Sequence, residues 1–233
     1  MAEENVILRF ASAHVEPSPD YAPGLSHVSL LLRAGELAVV QIGRQSRMPP
    51  VADLAEGLLV PSLGRIEFEG DAGAGMSADR AAAGRGRVGR VFAGPAWVSN
   101  LDVDENVTLR ERHHSGRSPA EVRAAAAELA RRFGLENLPA TRTSRTSPHD
   151  LVRAQWVRAL LGAPRLLLLE DPEHDAPENT VGAWRAAVAD ALRTGAAALW
   201  IGPDIPAAPG GIAPRYRFEV RGPDLSLVEE RKS

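Results

Sequence analysis

The segment Gly43-Arg44-Gln45-Ser46-Arg47-Met48-Pro49-Pro50 follows an apolar run, LAVVQI, and precedes a helical pattern that starts at residue 51. A loop in that place with the spacing G-x-x-x-x-G-K-[ST] cradles a triphosphate. Its glycines let backbone N–H groups surround the β-phosphate, its lysine reaches the β/γ oxygens, and its hydroxyl holds Mg²⁺. Here Gly43 keeps the first glycine place, but Met48 stands for the second, Pro49 for the lysine and Pro50 for the Ser/Thr. The cation, the metal ligand and two amide donors are lost together, because proline has no N–H. The helix itself survives, since proline is tolerated in a first turn whose N–H groups are unpaired anyway. Arg44 and Arg47 can attract an anion only as general surface charge.

The elements that would position such a loop are legible from the pattern. Apolar runs bounded by Gly or Pro read as strands over residues 5–10, 28–32, 37–42, 65–69, 88–92, 165–169 and 197–202. Helical patterns cover 51–60, with Leu54, Leu58 and Leu59 on one face, then 119–133, 148–161 and roughly 180–193. The second is the clearest: Ser118 is its N-cap, Pro119 opens it, Glu121 closes a capping box and Gly134 stops it. Strands alternating with helices predict an α/β fold with a mainly parallel sheet covered on both faces. Residues 95–150 are richer in helix, 71–86 read as a loop of small residues, and YRFEVRGPDLSLVEE predicts an edge hairpin.

Composition narrows the function classes. At 233 residues the chain can bury a substantial core. Its net charge of −3 gives no general attraction to nucleic acid; Arg85, Arg87 and Arg90 read as a solvated arginine strip. The absence of cysteine excludes disulfides, thiol nucleophiles and thiolate metal sites. No run approaches the ~20 apolar residues of a membrane span, and no signal peptide is read, so direct membrane insertion is not expected.

Taken in order, LLVPSLGRIEFEG (58–70), GMSADR (75–80), VFAGPAWVSNLDVDENVTL (91–109) and RAQWVRALLGAPRLLLLEDP (153–172) resemble the ATPase subunit of ABC transporters. The middle of the chain looks most like the subunit that serves bacterial Mla/MCE lipid transporters. Leu101, Val103, Glu105, Asn106 and Val107 match the family's L-T-V-x-E-N-V pattern. The resemblance implies a P-loop NTPase-like mainly parallel sheet with an antiparallel β region. It also implies one nucleotide-binding domain over 1–233, whose core (1–93 and 151–233) carries an inserted helical subdomain (94–150). ATP and Mg²⁺ are the family's cofactors. Its partners are a transmembrane permease subunit and a second nucleotide-binding domain, in a homodimer or an unequal pair, and its place is cytoplasmic, peripheral to the inner membrane through the permease.

Carried over residue by residue, the resemblance puts altered residues at each chemical position. The Asp-Glu pair after the strand is Glu170-Asp171, each changed by one methylene. Glu170 retains the chemistry to serve the metal, while Asp171, at the place of the residue that activates water, falls short, and ~1 Å of misplacement can cost about 100-fold in rate. The alternative is that both are acids at a strand end. The signature LSGGQ reads Thr146-Ser147-Pro148-His149-Asp150, where N-capping by Ser147 and Asp150 is a sufficient account and His149 reads as a surface residue. The Q-loop glutamine is Ala93, the H-loop histidine is Pro203 and the D-loop pair is Ala176-Pro177. Tyr21 is the nearby adenine-stacking candidate, with a loop tyrosine the favoured reading. Gly94, Pro95, Trp97 and Val98 are the candidate lining of a groove for a permease helix, with Trp97 as core the competing reading.

These substitutions predict an ABC nucleotide-binding-domain homologue that hydrolyses ATP weakly or not at all. Two other readings stand beside it: a divergent ATPase that retains weak binding through Gly43, Ser46, Glu170 and Asp171, and a regulatory or assembly protein that uses the fold alone.

Overall fold

The computed structural model describes residues 5–19, 24–72, 78–94, 96–221 and 224–231. Its centre is a six-stranded sheet built on the longest apolar runs. The strands β3 (Leu37–Gln41), β7 (Leu166–Glu170) and β8 (Ala197–Gly202) are buried almost throughout, as expected of parallel strands covered on both faces. With β6 (Val88–Val91), β9 (Tyr216–Arg221) and β10 (Asp224–Glu230) they form the order β10-β9-β3-β8-β7-β6. Only β10 runs antiparallel, as the outer strand of the expected edge hairpin.

A second, four-stranded antiparallel sheet has the order β2-β1-β4-β5, from β1 (Val6–Val15), β2 (Leu25–Arg33), β4 (Leu63–Phe68) and β5 (Asp71–Ala72). It closes one face of the main sheet, where Leu8, Phe10, Leu32, Val40 and Leu168 share a core with Val51 and Leu54 of helix α1 (Val51–Ala55). The opposite face carries α3 (Val103–His114), α4 (Pro119–Arg132), α5 (Pro148–Leu160) and α6 (Glu178–Arg193). Its core is aromatic. The rings of Trp156 and Trp184 stack at 5.1 Å, with Phe133 edge-on to Trp156 at 5.4 Å and Trp200 at 6.4 Å from Trp184.

The capping box of α4 is present as read, with Ser118 Oγ accepting from the Glu121 amide and the Glu121 carboxylate accepting from Ser118 N–H. Two expected elements are corrected. The helix over 51–60 ends at Ala55, because Gly57 turns into the left-handed region (φ +72°) and the Leu58 and Leu59 amides fold back onto the Asp53 carbonyl. Leu58 is left 57% exposed, off the face it was expected to share with Leu54. The stretch 71–86 is not simply loop: β5 occupies 71–72 and a helix, α2, spans Ala78–Gly86, with 73–77 outside the described residues. Alanines at 81–83 favour that helix despite its two glycines.

One glycine ties the helical face to the sheet. A Cβ at Gly89, in β6, would lie 1.9 Å from the Ala159 carbonyl oxygen of α5. The α5 backbone therefore rests directly on β6, and any larger residue at 89 would push it away.

Candidate functional site

The loop from Gly43 to Pro50 opens with a tight turn. Ser46 N–H donates to the Gly43 carbonyl at 2.9 Å, so this amide closes the turn rather than facing an anion. Pro49 and Pro50 are buried, and Met48 packs half-buried against the core below. Apolar side chains thus fill the place a lysine and a hydroxyl would hold open. Pro50 begins α1 without any side-chain cap. The two loop arginines are engaged elsewhere: Arg44 pairs with Asp204 at 2.9 Å and Arg47 donates to the Pro19 carbonyl.

Beneath the loop lies an ion cluster that the sequence reading missed. Glu170, at the end of β7, is buried and accepts two hydrogen bonds from Arg90, from Nε and Nη2, each at 3.0 Å. Arg90 Nη1 meets Glu56 and Asp53, both at 2.8 Å, and the guanidinium lies over the Phe92 ring at 4.4 Å. One cation thus joins the first helix after the loop to the carboxylate that ends β7. Burial opposes the charge on Arg90, but hydrogen bonds and attraction from Glu170 and Glu56 outweigh it and hold the guanidinium above its ordinary pKa. Burial pushes Glu170 above the usual carboxylate range, with Arg90 opposing.

Of the solvated strip expected of Arg85, Arg87 and Arg90, Arg87 is exposed, and Arg90 is the correction. Arg90 is the third residue of β6 and points to the face that carries α1, so it is 8% exposed. Arg87 is bound to Glu69 and lies over Phe68. The signal was present as a charge inside the apolar run VGRV, with Asp53 and Glu56 three apart on the next helix over.

Asp171 sits in the left-handed region (φ +43°), its amide bonded to Ile201 O at 2.7 Å. Burial raises its pKa, with His174 opposing and the Asp204, Glu173 and Asp175 carboxylates adding to the rise. Asp171, Glu173, Asp175 and Asp204 line one cavity together with Arg44, His174 and Arg185. Pro203 offers a carbonyl to the Gln41 side chain, tying the ends of β8 and β3 together. Ala176 and Pro177 lead into α6, whose Thr180 donates to Pro177 O.

At the start of α5, Ser147 Oγ caps the Asp150 amide at 3.1 Å, and the Asp150 carboxylate pairs with Arg153. Pro148 and His149 are exposed. Ala93 and Gly94 are exposed on the loop after β6, while Trp97 is half-buried under the Arg158 guanidinium at 4.5 Å and Val98 is 45% exposed. Trp97 therefore packs on the core, the competing reading. Buried Asn106 organises this loop, accepting from Val98 N–H and donating to the Val98, Leu101 and Asp102 carbonyls at 2.8–3.3 Å. Tyr21 and Pro95 lie outside the described residues.

Two sheets packed over one loop-helix unit, with a helical face between β6 and β7, define the fold of an ATP-binding cassette. The solved cassette MJ0796, as a dimer in a post-hydrolysis state bound to ADP and Pi, superposes with a TM-score of 0.81 over 97% of this chain and 100% of its own, at 18% identity. A nucleotide-free cassette from an ABC transporter matches with a TM-score of 0.71 at 16% identity. No family model matches the chain. Among known proteins it is 30% identical over 156 residues to the lipoprotein-releasing system ATP-binding protein LolD of Ruegeria sp. strain TM1040, covering 66% of this chain and 68% of that one. It is also 33% identical over 149 residues to the methionine import ATP-binding protein MetN of Caulobacter vibrioides, covering 64% and 45%. The chain belongs to the ATP-binding subunits of ABC transporters. It spans about half the length of several relatives, 45% of MetN and 46% of the sulfate/thiosulfate import protein CysA of Mesorhizobium japonicum.

Proposed function

We propose that this chain is a nucleotide-binding-domain homologue that has exchanged ATP chemistry for a structural role, docking under a transmembrane permease and pairing with a second nucleotide-binding domain. The observation that carries this reading is Arg90. It delivers an internal positive charge to Glu170, Glu56 and Asp53, and so links the loop helix to the end of β7, a bridging task a bound cation would otherwise perform. The residues present do not fit a magnesium triphosphate. Pro49 and Pro50 withhold the amides, Met48 packs on the core, Glu170 is committed to a guanidinium, and the acids Asp171, Glu173 and Asp204 line the neighbouring cavity beside Arg44 and Arg185.

Residues 94–150, which hold α3 and α4, are read as the helical subdomain, and 1–93 with 151–233 as the core. The middle blocks of sequence support a lipid-type transporter, with the chain on the cytoplasmic face and held there by its partner. Among the described residues no helix is long and apolar enough to cross a membrane.

The test is co-purification from gently solubilised membranes of the native host. A permease should copurify, and any ATP turnover of the complex should be unchanged by Asp171→Asn. Recovery of the chain without a membrane protein, or turnover abolished by that substitution, would count against the reading.

A further inference from the structure

A cavity of about 140 Å³ lies where the end of α1 and the turn after it meet β4, β5 and the last turns of α2. Leu54, Ala55, Leu59, Ile66, Phe68 and Val88 give it apolar walls. Engineered cavities of about 150 Å³ with such a lining hold one benzene ring, so the space matches a single ring or a branched aliphatic group of that size. A glycine leaves room on the α2 side: the nearest atom that a Cβ at Gly84 would meet is Phe68 Cδ1, at 3.8 Å, an ordinary contact. Leu58, Val60 and Leu63, on and just after the neighbouring turn, are each more than half exposed, so the approach is apolar as well.

Four charged side chains line the cavity, Glu56, Arg65, Asp71 and Arg85, and three of them are engaged. Glu56 is held by Arg90 at 2.8 Å, Arg65 pairs with Glu67 at 2.7 Å, and Asp71 has a partner of its own. Arg85, half-buried in the last turn of α2, has no ion-pair or hydrogen-bond partner among the described residues. A cation without a counter-ion beside an apolar cavity favours a molecule with two parts, an apolar body that leaves water and an anionic end that stays at the rim. A carboxylate suits that end, because a guanidinium meets it with two parallel N–H donors, whereas an ammonium there would be repelled.

We infer that this cavity is a binding site for a small aromatic or branched aliphatic carboxylate, its apolar body between α1 and Phe68 and its carboxylate on Arg85. None of the lining residues belongs to the loop from Gly43 to Pro50, and binding there does not require a permease. Because Leu54 and Ala55 lie in α1 and Glu56 caps it, an occupied cavity braces the end of the helix that Arg90 ties to Glu170.

The test titrates benzoate, benzyl alcohol and benzylammonium against the full chain by ligand-observed NMR, with thermal denaturation alongside. Benzoate should bind about tenfold more tightly than benzyl alcohol, equivalent to about 1.4 kcal/mol, and should raise Tm at saturation. Benzylammonium should be weakest. Arg85→Gln should bring benzoate down to the level of benzyl alcohol and leave the neutral probe unchanged. Gly84→Leu should abolish binding of all three by filling the cavity, and should keep the fold, since leucine replaces a glycine inside a helix. Equal affinity for benzoate and benzyl alcohol, binding that survives Gly84→Leu, or no binding by any probe overturns the inference. Arg85→Gln keeps the test decisive if Gly84→Leu fails to fold.

Discussion

Arg90→Met is expected to lower stability by about 3–5 kcal/mol, the range for removing one partner of a buried ion pair and leaving the other charged. Glu170 would remain buried with no cation, beside Glu56 and Asp53, which the same guanidinium holds at 2.8 Å. For a chain of this size the loss corresponds to a fall in Tm on the order of 10 °C, read by calorimetry or thermal denaturation. Arg90→Met combined with Glu170→Gln should recover a large part of it, because the uncompensated charge goes with its partner. The deficit should also depend on pH. Burial already holds Glu170 above the ordinary carboxylate range, so the folded state keeps its proton at pH values where the unfolded chain has lost it. Stability from this group is therefore lost as pH rises through that window and regained as pH falls. Without Arg90 the rise is larger, so the gap between variant and parent should narrow toward acid pH. A deficit that widens there, or a loss well below 1 kcal/mol, would mean the cluster carries little.

Trp156→Ala is expected to cost a similar amount, about 3–5 kcal/mol, for a different reason. Trp156 is fully buried in α5, stacked on Trp184 of α6 and edge-on to Phe133 at the end of α4, and its Nε1 donates to Pro172 O at 2.7 Å. Truncation would leave a cavity at the point where three helices meet the sheet and would orphan the Pro172 carbonyl that follows Asp171. Trp156→Phe, which keeps a ring but loses the donor, should cost markedly less. Urea midpoints at constant slope would separate the two; equal losses would show that the hydrogen bond, and not the packed ring, dominates.

Much of the architecture was legible because it is written in period and punctuation. Apolar runs such as LLLL and LAVV are long enough to be buried parallel strands, and Ser118-Pro119-Ala120-Glu121 can hardly be anything but a helix start. The loop substitutions were equally plain, since proline at 49 and 50 has the same consequence in any conformation. Of the ion cluster only the charge inside VGRV was legible. Asp53, Glu56, Arg90 and Glu170 come from α1, β6 and β7, and only the strand order β7-β6 together with the placement of α1 brings them to one point. A run of three arginines in GRGRVGR looks like surface until the pleat of β6 turns Arg90 inward. The early end of α1 was missed because LAEGLLV keeps apolar spacing across Gly57, and the spacing does not report that glycine's left-handed turn.

The proposed structural role requires that this subunit bind no nucleotide. The most direct measurement is a calorimetric titration of the purified chain with ATP, with and without Mg²⁺. No saturable heat into the millimolar range and no change in Tm are expected. A micromolar isotherm that requires Mg²⁺ would contradict it.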